Sequence, residues 1–137
     1  MPVTTSYAIQ PLRAIGPIAL GDSLDSVKAL GLTHDAELSD GMKCFQSEAL
    51  GLICYLDRDR VESVKCWTGC TYKGVNLIGL GEHDLESLLG KPESTDSPVW
   101  VTDDRWQKAA NFDSLGLSIW LEHGRTVKVD LWWDGQE

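Results

Sequence analysis

Two segments of the chain carry the same succession of apolar and polar positions, and each contains two runs that alternate around a short polar turn. Alternation at period two predicts strands with one face buried, and paired runs about a turn predict a hairpin. The segments 51–67 (GLICYLDRDRVESVKCW) and 116–132 (GLSIWLEHGRTVKVDLW) align without a gap. Gly51/Gly116, Leu52/Leu117, Leu56/Leu121, Arg60/Arg125, Val64/Val129 and Trp67/Trp132 are identical, and Cys54/Ile119, Tyr55/Trp120 and Asp57/Glu122 are close chemical matches. The pattern therefore predicts one hairpin made twice, and an internal repeat weighs more in a fold assignment than local propensity.

The hydrophobic pattern also predicts a register. Three-residue loops, Arg58-Asp59-Arg60 and His123-Gly124-Arg125, set Leu121 opposite Val127, Ile119 opposite Val129 and Leu117 opposite Leu131. The first hairpin then pairs Cys54 with Val64 and Leu52 with Cys66, leaving Leu56 against Glu62 as the single poor match. A two-residue loop would turn Ser63 and Lys65 toward the core, which a buried face rejects. Trp67 falls opposite Gly51 and Trp132 opposite Gly116, so each ring is expected to lie across a glycine and cover its backbone.

Short helices precede both hairpins. Leu20-Gly21-Asp22-Ser23 leads into Leu24, Val27 and Leu30 with Gly31 behind, and Leu80-Gly81-Glu82-His83-Asp84 leads into Leu85, Leu88 and Leu89 with Gly90 and Pro92 behind. Polar caps, early acids, spacing of three or four and a glycine stop are helix signals. One more strand is expected between each helix and its hairpin, over Met42 to Gln46 and over Val99 to Thr102, the latter continuing near Arg105 to Lys108. The expectation is a single α+β domain over 1–137, an internal duplication of a helix-strand-strand-strand unit. Repeat 1 spans about 16–67, a linker 68–78, and repeat 2 about 79–133, forming antiparallel sheet with short helices on one face.

Composition narrows the possible partners. The chain has 137 residues and a formal charge of −9, which argues against nucleic-acid binding because phosphate neutralisation needs clustered Lys and Arg. An acidic surface suits solubility or a partner that is basic at the contact. No apolar run approaches the ~20 residues of a membrane span, and the first residues have no basic region followed by a continuous apolar stretch. The first cysteine is Cys44, so the expectation is an unprocessed, cytoplasmic protein with no membrane attachment.

Candidate chemistry is sparse. Cys44, Cys54, Cys66 and Cys70 could in principle supply a zinc site, but Cys54 and Cys66 align with Ile119 and Leu131, where the repeat needs core hydrophobes. A Cys66–Cys70 disulfide would require an oxidising compartment. His34, His83 and His123 fall in a loop, a helix start and a turn. No GxSxG, HExxH, GxxxxGK[ST] or GxGxxG motif occurs, so no catalytic residue, metal or cofactor is assigned. The aromatic and acidic residues remain. Trp100, Asp103, Asp104 and Trp106 lie in VWVTDDRWQK, which has no aromatic–acidic counterpart in DGMKCFQS of the first unit, and Tyr55, Trp120 and Glu122 mark the outer hairpin faces. Tryptophan and tyrosine anchor protein interfaces, although tryptophans also serve as core lids.

LGDSLDSVKALG and LGEHDLESLLGKP, each followed by strands and a Gly-Leu hairpin, resemble the tandem helix-plus-sheet repeats of the β-lactamase inhibitor protein and the related small outer-membrane lipoprotein domain. The resemblance spans about residues 16–133 and carries no functional residue over. A small acidic, Trp-rich α+β chain is also similar to bacterial immunity proteins. These likenesses imply a non-catalytic inhibitor that neutralises a cognate toxin or effector. Two alternatives stand beside it: an assembly or secretion-system adaptor that binds by strand addition, and a small ligand-binding domain or enzyme with a pocket between the units, using His83, Asp84 or Asp130.

Overall fold

The computed structural model describes residues 6–37, 42–95, 99–102 and 105–132. In chain order the elements are β1 (Tyr7–Gln10), β2 (Ala14–Ile15), β3 (Ile18–Ala19), α1 (Leu24–Ala29), β4 (Thr33–Glu37), β5 (Lys43–Ser47), β6 (Leu52–Asp57), β7 (Arg60–Cys66), β8 (Cys70–Tyr72), β9 (Val75–Asn76), α2 (Glu82–Leu89), β10 (Ser94–Thr95), β11 (Val99–Thr102), β12 (Arg105–Phe112), β13 (Leu117–Glu122) and β14 (Arg125–Trp132). A nine-stranded sheet runs β10-β12-β13-β14-β7-β6-β5-β4, with β11 pairing the other stretch of β12, and a five-stranded sheet runs β3-β2-β1-β8-β9. Among the described residues the protein is thus mostly β, with two short α-helices. Among the described residues, no helix is long and apolar enough to cross a membrane.

Alternation along β6, β7, β13 and β14 sends Leu52, Cys54, Leu56, Val61, Val64 and Cys66 inward with Leu117, Ile119, Leu121, Val129 and Leu131. Val27 of α1, Leu85 of α2, and Tyr7, Ile9, Ile15, Ile18 and Leu77 from and beside the small sheet join the same buried cluster. Each such side chain contributes roughly 1.5–3 kcal/mol by leaving water, and both helices and the small sheet therefore cover one face of the large sheet. The small sheet was not expected. Its strands are two to four residues long, too short to show a period, and β1 joins β8 in parallel through Tyr7–Cys70 and Ala8–Thr71, contacts far apart in sequence. Residues expected to form only a linker hold β8 and β9 instead.

The hairpins keep the expected register away from their turns: Leu52–Cys66, Cys54–Val64, Leu117–Leu131 and Ile119–Val129 are partners. Near the turns it changes. The loops are two-residue turns with left-handed Arg58-Asp59 and His123-Gly124, closed by Asp57–Arg60 and Glu122–Arg125, and a bulge after Tyr55 or Trp120 takes up the odd residue. Paired positive φ values match the twist of a hairpin, and a bulge restores the inward face without moving the rest of the ladder. Leu56 accordingly meets Val61 rather than Glu62, and Leu121 meets Thr126 rather than Val127. Buried Thr126 spends its hydroxyl on the Leu80 carbonyl at 3.2 Å.

Each turn is tied to the segment before a helix. Val61 exchanges backbone bonds with Gly21 and Asp22, as Thr126 does with Gly79 and Leu80. Arg60 Nη1 donates to the Gly21 carbonyl at 3.3 Å and Arg125 Nη1 to that of Gly79 at 3.1 Å, which accounts for the shared arginines. Ser23 caps α1 by accepting from the Ser26 N–H at 3.2 Å, whereas α2 starts at Gly81 without a side-chain cap. The strand between helix and hairpin also differs from expectation. Lys43 pairs with Leu56 in β5, and the matching partner of Leu121 is Lys108 in β12, so β12 corresponds to β5 and Val99–Thr102 is an additional strand.

The glycines opposite the tryptophans are held by their backbone conformation and by close neighbours. Gly51 and Gly116 have φ of +70° and +67°, which a residue with a Cβ adopts only at a cost. A Cβ added at Gly51 would meet the Thr68 side chain, and one at Gly116 would meet Leu12 and the Trp132 carbonyl oxygen.

Candidate functional site

The strands β7 and β14 meet at the middle of the large sheet in the register Cys66–Val129, Lys65–Asp130, Val64–Leu131 and Ser63–Trp132. Since Val64, Cys66, Val129 and Leu131 point into the core, Lys65, Asp130 and Trp132 stand on the opposite face, away from the helices. Tyr55 of β6 and Trp120 of β13 flank them on that face. All five are half-buried.

These side chains engage one another. Lys65 Nζ lies 5.8 Å from the centre of the Tyr55 ring and Lys128 Nζ 4.9 Å from that of Trp120, both within range of cation–π attraction. Asp130 accepts a hydrogen bond from the Trp120 indole at 3.3 Å and sits 3.9 Å from Lys65 Nζ. Trp132 Nε1 donates to Ser118 Oγ at 3.0 Å, and Ser118 donates to Asn111 Oδ1 at 2.8 Å. At the end of this belt Gln107, 6 % exposed, donates to Glu122 at 3.0 Å, while its own buried Oε1 has no hydrogen-bond partner among the described residues.

Burial pushes the Asp130 carboxyl above the usual carboxylate range, opposed by Lys65, the Trp120 indole and Lys128. Burial also draws the Lys128 ammonium down, with Lys65 adding repulsion and Asp130 and Glu122 opposing. Because folded Asp130 holds its proton more tightly than the unfolded residue, its contribution to stability is present below the ordinary carboxylate pKa and is lost as pH rises through the raised folded value. Asp130→Asn is therefore expected to be more stable than the parent at neutral pH, the gain fading as pH falls through the raised folded value and gone below the ordinary carboxylate pKa of about 4. Urea unfolding at both pH values reads this, and a less stable variant at pH 7 would mean that pairing with the lysines outweighs burial.

Of the residues singled out from sequence, Tyr55, Trp120 and Glu122 share this face. Trp100 and Trp106 are Cα partners across β11 and β12, and Asp103 and Asp104 lie outside the described residues. Sequence reasoning undervalued Lys65, Lys128 and Asp130, whose signal was their place at outward positions of the two central strands. His83 and Asp84, in the exposed first turn of α2, belong to the helix-covered face and do not converge with Asp130. Cys44 pairs with Tyr55 on the outer face, while Cys54 points into the core, where burial pushes its thiol up to about 12. Cys66 and Cys70 are both fully buried where the two sheets meet, Cys66 donating to the Gly69 carbonyl at 3.4 Å. Comparison with known protein families, with curated proteins and with solved structures finds no match to this chain.

Proposed function

We propose that the chain is a non-catalytic protein-binding inhibitor of the immunity type, which neutralises a cognate toxin or effector through the aromatic face at the centre of its large sheet. The observation that carries this reading is the belt of Tyr55, Lys65, Asp130, Trp120 and Lys128 opposite the helices. Each aromatic side chain there is already held by a polar neighbour, so little rotamer freedom is left to lose on binding. Large amphipathic rings with charged neighbours are what interface hot spots are made of. Retaining a carboxylate where burial opposes its ionisation also fits a surface completed by a partner.

An internal duplication belongs to the same reading. The matched turns, bulges, arginine bonds and left-handed glycines support it, as does the central register, in which Lys65 meets its own positional equivalent, Asp130. Duplication would place two related hairpins side by side and build one continuous binding face from their outer surfaces. We place the protein in the cytoplasm of a bacterium.

The test is affinity capture from the native bacterium followed by reconstitution. A single protein held at near-equal amount, with an activity that the purified chain blocks, supports the proposal. Retention of many unrelated proteins, or a partner whose activity is unaffected, overturns it in favour of an adaptor role.

A further inference from the structure

The first hairpin carries a thiol where the second carries a leucine. Cys66 faces Leu52 as Leu131 faces Leu117, so the two positions correspond, and both are fully buried. Cys70, equally buried, opens β8 of the small sheet, where its partner in β1 is Tyr7. The turn Trp67-Thr68-Gly69 between them brings the two sulfurs together: the Cys70 side chain hydrogen-bonds Cys66, and the Cys66 thiol itself donates to the Gly69 carbonyl at 3.4 Å. The Thr68 hydroxyl oxygen is buried without a hydrogen-bond partner among the described residues, and it is placed to donate to Cys66 once that sulfur is a thiolate. The Cys70 thiol, the backbone of Gly69 and Thr68 and the Thr68 hydroxyl hold the Cys66 thiol below its usual range against the effect of burial, while the contact with Cys66 and burial push Cys70 up. One sulfur is thus prepared as the anion and its neighbour keeps a proton. Cys54, which corresponds to Ile119, is the contrast: burial and Cys44 push it up to about 12.

We infer that Cys66 and Cys70 form an oxidisable dithiol, which hydrogen peroxide converts into an intramolecular disulfide joining β7 of the large sheet to β8 of the small one. Cys66 is the attacking sulfur. Its thiolate takes one peroxide oxygen as the O–O bond breaks, giving a sulfenic acid and a hydroxide that leaves as water with the proton Cys66 gave up. Cys70 then attacks the Cys66 sulfur; the S–S bond forms, the S–O bond breaks, and the second hydroxide leaves as water with the Cys70 proton. The two sulfurs lose two electrons, the peroxide gains them, and a thiol reductant reverses the change. Peroxide is the oxidant that burial admits, being uncharged and little larger than water, whereas bulky disulfides are kept from both sulfurs. A lasting disulfide needs an oxidising compartment, but a transient, redox-responsive one does not. The pair lies on the inner side of the large sheet, and the inference does not rest on the aromatic face.

The test exposes the native full-length chain to excess hydrogen peroxide, then quenches, unfolds and alkylates it and maps the cysteines after trypsin, which leaves Cys66 and Cys70 in one peptide, residues 66–73. That peptide should become two hydrogen masses lighter and escape alkylation at both sulfurs, with Cys44 and Cys54 still alkylated and the change fully reversed by dithiothreitol. Cys70→Ala should stop at a Cys66 sulfenic acid that dimedone captures, and Cys66→Ala should give neither disulfide nor adduct. Thr68 acts as a positioning residue. Thr68→Val should oxidise about threefold more slowly on the acid side of the pH–rate profile, the difference closing at alkaline pH, where the thiolate forms without the hydroxyl; a purely structural loss would not follow pH in this way. The parent chain decides the pairing even where a variant fails to fold. No disulfide within residues 66–73, earlier oxidation of Cys44 or Cys54, or dimedone capture at Cys70 in place of Cys66 overturns the inference, as does an unchanged acid limb in folded Thr68→Val.

Discussion

Gly116→Ala is expected to lose about 2–4 kcal/mol of stability. Two costs combine. A non-glycine residue at φ +67° pays about 1 kcal/mol or more for the left-handed conformation. The new Cβ would also stand 2.9 Å from the Trp132 carbonyl oxygen and 2.8 Å from Leu12 Cδ2. The backbone oxygen cannot swing away, because Trp132 N–H is bonded to the Gly116 carbonyl at 2.9 Å and β14 is fixed between β13 and β7. Gly51→Ala should also be costly, since at φ +70° its new Cβ would meet the Thr68 side chain, including the Thr68 Cβ at 2.9 Å. Urea midpoints of the two variants give the comparison; a Gly116→Ala loss under about 0.5 kcal/mol would contradict the close approach.

The second large effect concerns binding. Trp120→Ala is expected to weaken the partner complex by about 2–4 kcal/mol, roughly 30- to 1,000-fold, if the aromatic face is the contact surface. Trp120 combines a large ring, an ammonium over its face and an indole committed to Asp130, so its loss removes contact area and frees two charged neighbours at once. The effect on folding should be near 1 kcal/mol, because the ring is only half-buried and lies outside the main core cluster. Dissociation should speed up more than association slows, as expected for a buried anchor rather than a steering charge. A folded Trp120→Ala chain that inhibits its partner with undiminished affinity would remove the face from consideration.

How much was legible in the sequence follows from how local each interaction is. The hairpins were read correctly through Leu52–Cys66 and Leu117–Leu131 because alternating side chains admit one register once a face is buried. The helices were located by their spacing and their glycine stops. The bulges escaped because a bulge leaves no composition signal of its own; only the awkward Leu56–Glu62 pairing hinted at one. The small sheet escaped because Tyr7 and Cys70 are brought together by tertiary packing rather than by any short pattern. At the candidate site, the tryptophans drew attention by type, whereas Lys65 and Asp130 look like ordinary surface charges until β7 and β14 are known to be neighbours.

That seam between β7 and β14 bears on how the molecule keeps to itself. The two strands meet antiparallel at corresponding positions, the geometry by which two separate copies of one half would dimerise about a two-fold axis. Were the first half to associate with another first half in this way, Lys65 would face a second Lys65; two second halves would bring Asp130 against Asp130. Like charges directly opposite on neighbouring strands repel, and opposite charges do not. The structure instead sets Lys65 against Asp130, so this seam brings opposite charges rather than like ones together.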